Sequence, residues 1–586
     1  MSYSFFCCAR FYLSFRKTGF SYFRHQLFMP RCIFLWTTMT NRDIAQAFNE
    51  LADLMELHEA DDFRVRSYRN AYLALRKIER PLAELTDAEI QSIRGVGPAI
   101  TKKIRELLST GRLRALEEMR SQTPPGVVEM LHIGGFGPKK VRVVWQEMGI
   151  TDVGELWYAC HENRLAAAKG FGLKTQETVK NQLEYYLRSK DKLHYPAAEA
   201  AADFVGAWLT GRLPGAFVSP TGEVRRRCPV VEHLDILVGY NGDLSPAFDG
   251  EVLTVERTEA EVYYLRLEGQ TPLRLWHCRA EQFGSRLFES TGAPAFVQSF
   301  WASFPLLKNS QLRLEQEIFE KSGLPYIPPE LREDGGAIEA ARRGAWPNLI
   351  ADSDIRGVLH VHTTWSDGLH SLRDMCLYAK ELGYAYIGIT DHSQSAFYAN
   401  GLKLDRVLAQ MDEIDALNAE LAPFRVLKGI ESDILADGSL DYEQAVLEKF
   451  DFVVASIHTN LNMSIEKATH RILRAIENPC TTILGHPSGR LLLSRPGYPL
   501  DWDAVFEACA KHGVALELNA NPHRLDLDWT LIPRAVQYGI RISINPDAHS
   551  KEGIHDIRYG VLAARKGALT SAQCFNATSV FVSDRK

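Results

Sequence analysis

His360-Val361-His362-Thr363-Thr364-Trp365-Ser366-Asp367-Gly368 sets two imidazoles two residues apart after the apolar pair Val358-Leu359, with a carboxylate in the turn that follows. Side chains of a strand alternate with period two, so His360 and His362 are expected on one side, with Asp367 folding back toward them. Imidazoles and a carboxylate suit a divalent cation; the competing use is a half-buried strand whose histidines are held by hydrogen bonds.

The same residue types recur at the ends of further apolar runs. Tyr386 to His392 ends in Thr390-Asp391-His392, and Val426 to Ile434 carries Gly429-Ile430-Glu431-Ser432-Asp433. Phe452 to His458 ends in Ser456-Ile457-His458, and Thr482 to Pro487 ends in Gly485-His486-Pro487. Val514 to Asn521 ends in Glu517-Leu518-Asn519-Ala520-Asn521, and Ile542 to His549 in Asn545-Pro546-Asp547-Ala548-His549. Buried histidines and carboxylates need partners, and a shared metal site supplies them. The runs alternate with amphipathic helical stretches every ~25–40 residues, the pattern of a parallel α/β fold. In a barrel of that kind the C-terminal strand ends form one face, where residues distant in sequence meet.

The N-terminal part must position something else. Asn41 to Leu57 carries Ile44, Phe48, Leu51, Leu54 and Met55 at helical spacing. Three Gly-x-Gly turns between helical stretches follow. Gly95-Val96-Gly97-Pro98 precedes Lys102 and Lys103; Gly135-Phe136-Gly137-Pro138 precedes Lys139 and Lys140; Gly170-Phe171-Gly172 follows Lys169 and precedes Lys174. Glycine permits the left-handed turn and a close backbone approach, and the next helix start offers N–H groups to a phosphate. Such turns bind nucleic-acid backbone without reading its sequence. The first two are expected to touch DNA, the third to be structural.

Between these parts, Val231 to Val238 reads as a strand holding His233 and Asp235, preceded by Gly222-Glu223-Val224-Arg225-Arg226-Arg227. Thr271-Pro272-Leu273-Arg274 lies downstream, and Leu324-Pro325-Tyr326-Ile327-Pro328-Pro329 has the extended composition of a linker. His233 and Asp235 alone make a poor cage for magnesium, which takes oxygen ligands in octahedral geometry.

The chain has 586 residues, a formal net charge of -6 and 46% hydrophobic residues, which describes a multidomain globular protein with no global nucleic-acid signal. No apolar run approaches the ~18–20 residues of a membrane span. Ten cysteines without a Cys-x-x-Cys pair fit reduced thiols and a cytoplasmic protein. Residues 1–38 are basic and aromatic and lack acids, and a patterned helix opens just after Met39. The expectation is that Met39 is the true start and 1–38 an extension that is either not translated or disordered.

Taken together, the three turns, the strand with its arginines, the proline-rich joint and the strand-end ligands resemble the bacterial family X DNA polymerases. The resemblance implies a helical helix-hairpin-helix region (39–189), an α+β nucleotidyltransferase-like palm (190–324), a linker (325–352) and a distorted (β/α)7 polymerase-and-histidinol-phosphatase (PHP) barrel (353–586). It maps the barrel's metal ligands onto His360, His362, Asp367, His392, Glu431, His458, His486, Asp547 and His549. Two or three zinc, manganese or iron ions bridged by Glu431 would then hold a hydroxide for phosphodiester hydrolysis, with Arg490, or His523 and Arg524, on the phosphate. The palm departs from the family pattern. Glu223 replaces the serine of its Gly-Ser, His233 the first acid of Asp-x-Asp, and Pro272 the third acid. Arg226, His233 and Asp235 are thus a remnant, with magnesium not expected there. The implied activity is a 3′–5′ exonuclease or 3′-end-processing phosphoesterase of DNA repair, acting as a monomer on DNA held through its phosphates. The alternatives are a gap-filling polymerase with an accessory nuclease, a histidinol-type phosphatase, and a non-catalytic DNA-binding scaffold.

Overall fold

The computed structural model describes residues 39–78, 80–161, 164–168, 170–189, 192–268, 271–344 and 347–577. The extension at 1–38 and Lys169 lie outside the described residues. Among the described residues, the chain up to Met119, apart from Glu56–Glu59, forms one compact unit, and Glu56–Glu59 with everything from Arg120 onward forms another.

In the first unit, helix Asn41–Leu57 buries Ile44, Phe48, Leu51 and Leu54, the stripe its periodicity predicts. Helix Asp87–Ser92 starts on a Thr86/Glu89 capping box and turns through Gly95 into helix Pro98–Thr110. Two further hairpins, Pro125–Met130 to Pro138–Arg142 and Arg164–Ala167 to Leu173–Ser189, belong to the second unit. All three turns share a backbone. Gly95, Gly135 and Gly170 have φ of 92°, 75° and 85°, which only glycine adopts without strain.

The palm is a five-stranded sheet in the order Phe217–Pro220, Leu234–Gly239, Thr271–Cys278, Val262–Leu267, Leu253–Glu259. Helix Tyr195–Arg212 covers it with Ala198, Ala202, Val205 and Leu209. The strand expected over Val231 to Val238 is broken. Glu223 accepts from the backbone N–H of Glu232 and of His233, and pairing resumes only at Leu234. His233 is therefore exposed ahead of the strand.

The proline-rich segment is also more ordered than a free tether. Ile327, Glu330 and Arg332 are buried, and Arg332 packs against the Phe288–Phe319 aromatic cluster. Glu315 is the anchor: Arg225 grips both its oxygens at 2.7 Å, Arg332 reaches it at 2.6 Å and the Tyr326 hydroxyl at 2.9 Å. Burial alone would raise the Glu315 pKa, but Arg225 and Arg332 bring it down to about 2. A carboxylate depressed in the folded state stabilises above its unfolded value near 4.5 and loses that contribution as pH falls through about 2. Wild-type stability is expected to drop by about 3 kcal/mol between pH ~5 and ~2 through this group. Denaturant titrations across that range should show the slope flattened in Glu315→Gln.

The C-terminal half is a parallel seven-stranded barrel: Gly357–Val358, Tyr386–Ile389, Arg425–Asp433, Phe452–Ser456, Thr481–Leu484, Ala515–Asn519 and Ile542–Asn545, each paired with the next. A bridge between Val361 and Ala548 closes first strand to last, with His362 N–H donating to Ala548 at 2.9 Å and Ala548 N–H to His360 at 3.2 Å. The barrel floor is packed by Leu359, Leu427, Phe452, Val454 and Ile483. Gly388 and Gly429 make room for the Phe452 ring, since a Cβ at either would lie within 2.5 Å of it.

Palm and barrel meet along helix Ile557–Lys566. Lys566, buried, bonds Glu333, which also takes Arg226 at 2.9 Å; Arg565 reaches Glu330 at 2.8 Å, which also takes Arg227 at 3.3 Å; and Arg558 grips Glu199 at 3.0 Å through two nitrogens. Arg226 and Arg227 of the palm are thus committed to this seam.

Candidate metal centre

Nine side chains from six of the seven strand ends, or the loops just after them, gather around one of their number, Glu431. Its carboxylate lies 2.9 Å from His392, 3.0 Å from His486, 3.1 Å from His360, 3.2 Å from His458 and 3.6 Å from His362. Asp547 lies 3.3 Å from His362 and 3.5 Å from His360, and Asp367 lies 3.5 Å from His549 and 3.6 Å from His392. These residues fall into four overlapping groups with ligand atoms within 4.8 Å of one another, each large enough to hold a metal ion.

The backbone reaches this arrangement by a route that strand periodicity does not anticipate. The first strand ends at Val358, and His360 has a φ of 60°. Asp547 has 51° and His486 24°. A non-glycine residue in the left-handed region costs about 1 kcal/mol or more and persists only where its surroundings fix it. Three ligands are thus turned inward by strained backbone, not by the alternation of a strand.

Behind the ligands stand residues whose role the sequence did not separate from theirs. Glu517 accepts from His360 Nδ1–H at 2.6 Å, from the His486 backbone N–H at 2.6 Å and from Asn545 at 2.8 Å. Asp433 takes His458 Nδ1 at 2.5 Å, and Asn519 donates to Asp547 at 3.0 Å. Such bonds fix the tautomer and aim of the ligating nitrogen. Their only signal in the sequence is a carboxylate or amide at a strand end, which is also the signal of a ligand. Glu517→Gln is expected to weaken metal binding by roughly 10–100-fold, measured by metal titration of the stripped protein.

The donor set fits divalent metal. His360 Nε2, both nitrogens of His362, His486 Nδ1 and Glu431 Oε2 are buried without a hydrogen bond among the described residues. Unsatisfied polar atoms in such number are costly unless a cation completes them. The electrostatics agree. Burial would lower His360, but Glu517, Glu431 and Asp547 hold it well above the ordinary value. Burial and the neighbours His549 and His392 bring His362 down to about 3. Burial would raise Glu431, but His458, His360 and His392 keep it well below the carboxylate range. Protons stand in for cations in this cluster, and metal entry releases them. Imidazole with carboxylate suits zinc, manganese or iron.

Arg490, expected at the substrate phosphate, bonds Asp528 and the carbonyls of Arg524 and Leu525. It braces the loop beyond the sixth strand, and the arginine that loop presents to the ligands is Arg524, 3.6 Å from Asp547. His523 packs its ring against His194 of the palm instead.

The palm site is arranged differently. Asp235 is buried and gripped by Arg274 through two 2.7 Å bonds, with Trp276 Nε1–H adding a third at 3.0 Å. Parallel pairing sets Asp235 opposite Arg274, so a guanidinium occupies the carboxylate. Arg226, His233, Asp235, Arg274 and Trp276 line a cavity of about 710 Å³. In the hairpins, Gly95, Gly97, Gly135 and Gly137 are exposed, as are Lys102 and Lys139; Lys103 and Lys140 are half-buried, and Lys140 Nζ donates to Gly135 at 3.1 Å. The third turn has the backbone of the first two, and Lys174 shares a cleft with Gly135 and Lys140.

Two family profiles match the sequence: a helix-hairpin-helix domain over residues 39–113 and a PHP domain over residues 359–521. The chain is 34% identical over 575 residues to the DNA polymerase/3′-5′ exonuclease PolX of Bacillus subtilis (strain 168), covering 92% of this chain and 98% of that protein. A protein named "probable phosphatase" from Thermoanaerobacter sp. (strain X514) is 29% identical over 189 residues, 28% of this chain and 74% of its own length. Another of that name from Syntrophotalea carbinolica is 26% identical over 230 residues, 38% of this chain and 91% of its own.

Proposed function

The chain belongs to the bacterial family X DNA polymerases that end in a PHP domain, and from that premise we propose that it is a metal-dependent 3′–5′ exonuclease and 3′-end-processing phosphoesterase of DNA repair whose palm no longer extends primers. The observation that carries this reading is a contrast. Eight ligand-type side chains gather around Glu431 in the barrel, while Asp235, the one acid left at the three positions of the family's palm pattern, is neutralised by Arg274.

His360, His362, Asp367, His392, Glu431, His458, His486, Asp547 and His549 would hold two or three zinc, manganese or iron ions. Such ions supply Lewis acidity toward a phosphodiester and a water-derived nucleophile at neutral pH. The protein's own part is positional. Glu517 and Asp433 hold His360 and His458 in one tautomer, and Arg524 takes the substrate phosphate from the rim, on the loop that Arg490 holds in place. The exposed glycines and lysines of the first two hairpins hold the DNA backbone. Free thiols at Cys228 and Cys480 support a cytoplasmic setting, and no described helix is long and apolar enough to cross a membrane.

The experiment is direct. A 5′-labelled single-stranded oligonucleotide and a primer–template, incubated with the manganese-loaded protein, are expected to shorten from the 3′ end one nucleotide at a time. Intact DNA alongside released phosphate from a small phosphomonoester would refute the nuclease reading and favour the phosphatase one.

A further inference from the structure

Phe397 is a large apolar side chain left 86% exposed on a loop that the metal centre itself holds in place. The loop begins at the ligand His392 and returns to it, with Leu402 N–H donating to the His392 carbonyl at 2.8 Å. Its near side is fixed by Ser395, whose hydroxyl donates at 2.9 Å to Asp433, the carboxylate that orients His458. Its far side is fixed by Asn400, in left-handed backbone at φ 56°, whose amide donates at 3.2–3.3 Å to the carbonyls of Trp365 and Ser366, beside the ligand Asp367. Gly401 seals the turn, since a Cβ there would lie 1.9 Å from the Ser393 carbonyl. Phe397 thus stands at the tip of a braced loop whose two flanks are tied to the surroundings of two ligands.

The barrel order sets the sector of the rim from which that loop springs. His392 follows the second strand and Arg524 the sixth, as nearly opposite as a ring of seven allows. A phosphate held from the Arg524 side leaves its nucleoside facing the opposite rim. An aromatic face there offers what an unpaired base takes and a paired base cannot reach, a flat apolar partner independent of sequence.

We propose that Phe397 stacks on the unpaired terminal base of the substrate, so that the barrel selects single-stranded 3′ nucleotides over base-free phosphate esters. The inference rests on the nuclease reading for its substrate and on the loop geometry for its residue. Oligonucleotides ending in 2-aminopurine or in an abasic nucleotide test it with full-length wild-type, Phe397→Ala and Phe397→Trp proteins. The wild-type protein is expected to quench the 2-aminopurine on binding and to show a KM about tenfold lower for the base-bearing end than for the abasic one, within the range of one base on one ring. Phe397→Ala should lose both the quenching and the preference, and Phe397→Trp should restore them. Equal quenching by wild type and Phe397→Ala, a preference that survives the alanine, or a loss that tryptophan does not repair would each overturn the proposal. Quenching without nucleotide release would sustain the stacking and sink the nuclease reading; release with no dependence on residue 397 would do the reverse.

Discussion

Glu431→Gln is expected to lower 3′-end hydrolysis by about a thousandfold or more and to strip metal from the protein while leaving it folded. The carboxylate is 1% exposed and lies within 3.6 Å of five histidines contributed by other strand ends. Glutamine keeps the shape and removes the charge, so cations gathered around this one group lose the anion that offsets their mutual repulsion. Residues behind the ligands typically cost about 10–100-fold when changed; a carboxylate shared between ions should exceed that and reach the ~10³-fold associated with removing a central electrostatic group. Metal content per chain, circular dichroism and the rate of nucleotide release measure the three parts. A folded Glu431→Gln protein that keeps its metal and its rate would refute the assignment of this centre.

Primer extension by the wild-type protein is expected to be undetectable with magnesium or manganese and all four nucleotides, under conditions in which the same primer is shortened. Two-metal phosphoryl transfer requires several carboxylates around the ions to offset their charge. In the palm, His233 is exposed ahead of the strand, Pro272 offers no acid, and Asp235 is already paired with Arg274 and Trp276. The cavity of about 710 Å³ keeps the size of a nucleotide site, so space is not what is missing. Gel assays of a gapped and a recessed template would decide the matter, and any templated addition that dideoxynucleotides terminate would restore the polymerase alternative.

Much of this architecture is legible in the sequence for identifiable reasons. The barrel shows itself because each strand must carry a polar group of ligand type at one end, which core packing does not ask of it. The hairpins show themselves because Gly95, Gly135 and Gly170 sit where only glycine bends left-handed without strain. What stays hidden is tertiary. The inward turn of His360 depends on a bridge to Ala548, far along the chain. Glu517 looks like a ligand and acts as the partner of one, because only the fold decides which atom lies behind which. That no acid stands at His233 or Pro272 can be read directly, whereas Arg274 as the cation on Asp235 follows from the pairing register of two strands. The proline-rich joint has a linker's composition, but Arg332 and Glu330 are drawn into ion pairs that its composition does not reveal.

The seam along helix Ile557–Lys566 gives the palm a history separate from its catalysis. Deleting the palm together with the proline-rich joint would strand Lys566 and Arg565 without Glu333 and Glu330, and Arg558 without Glu199. A barrel that shares its charges in this way needs the palm as a body, whether or not the palm extends primers.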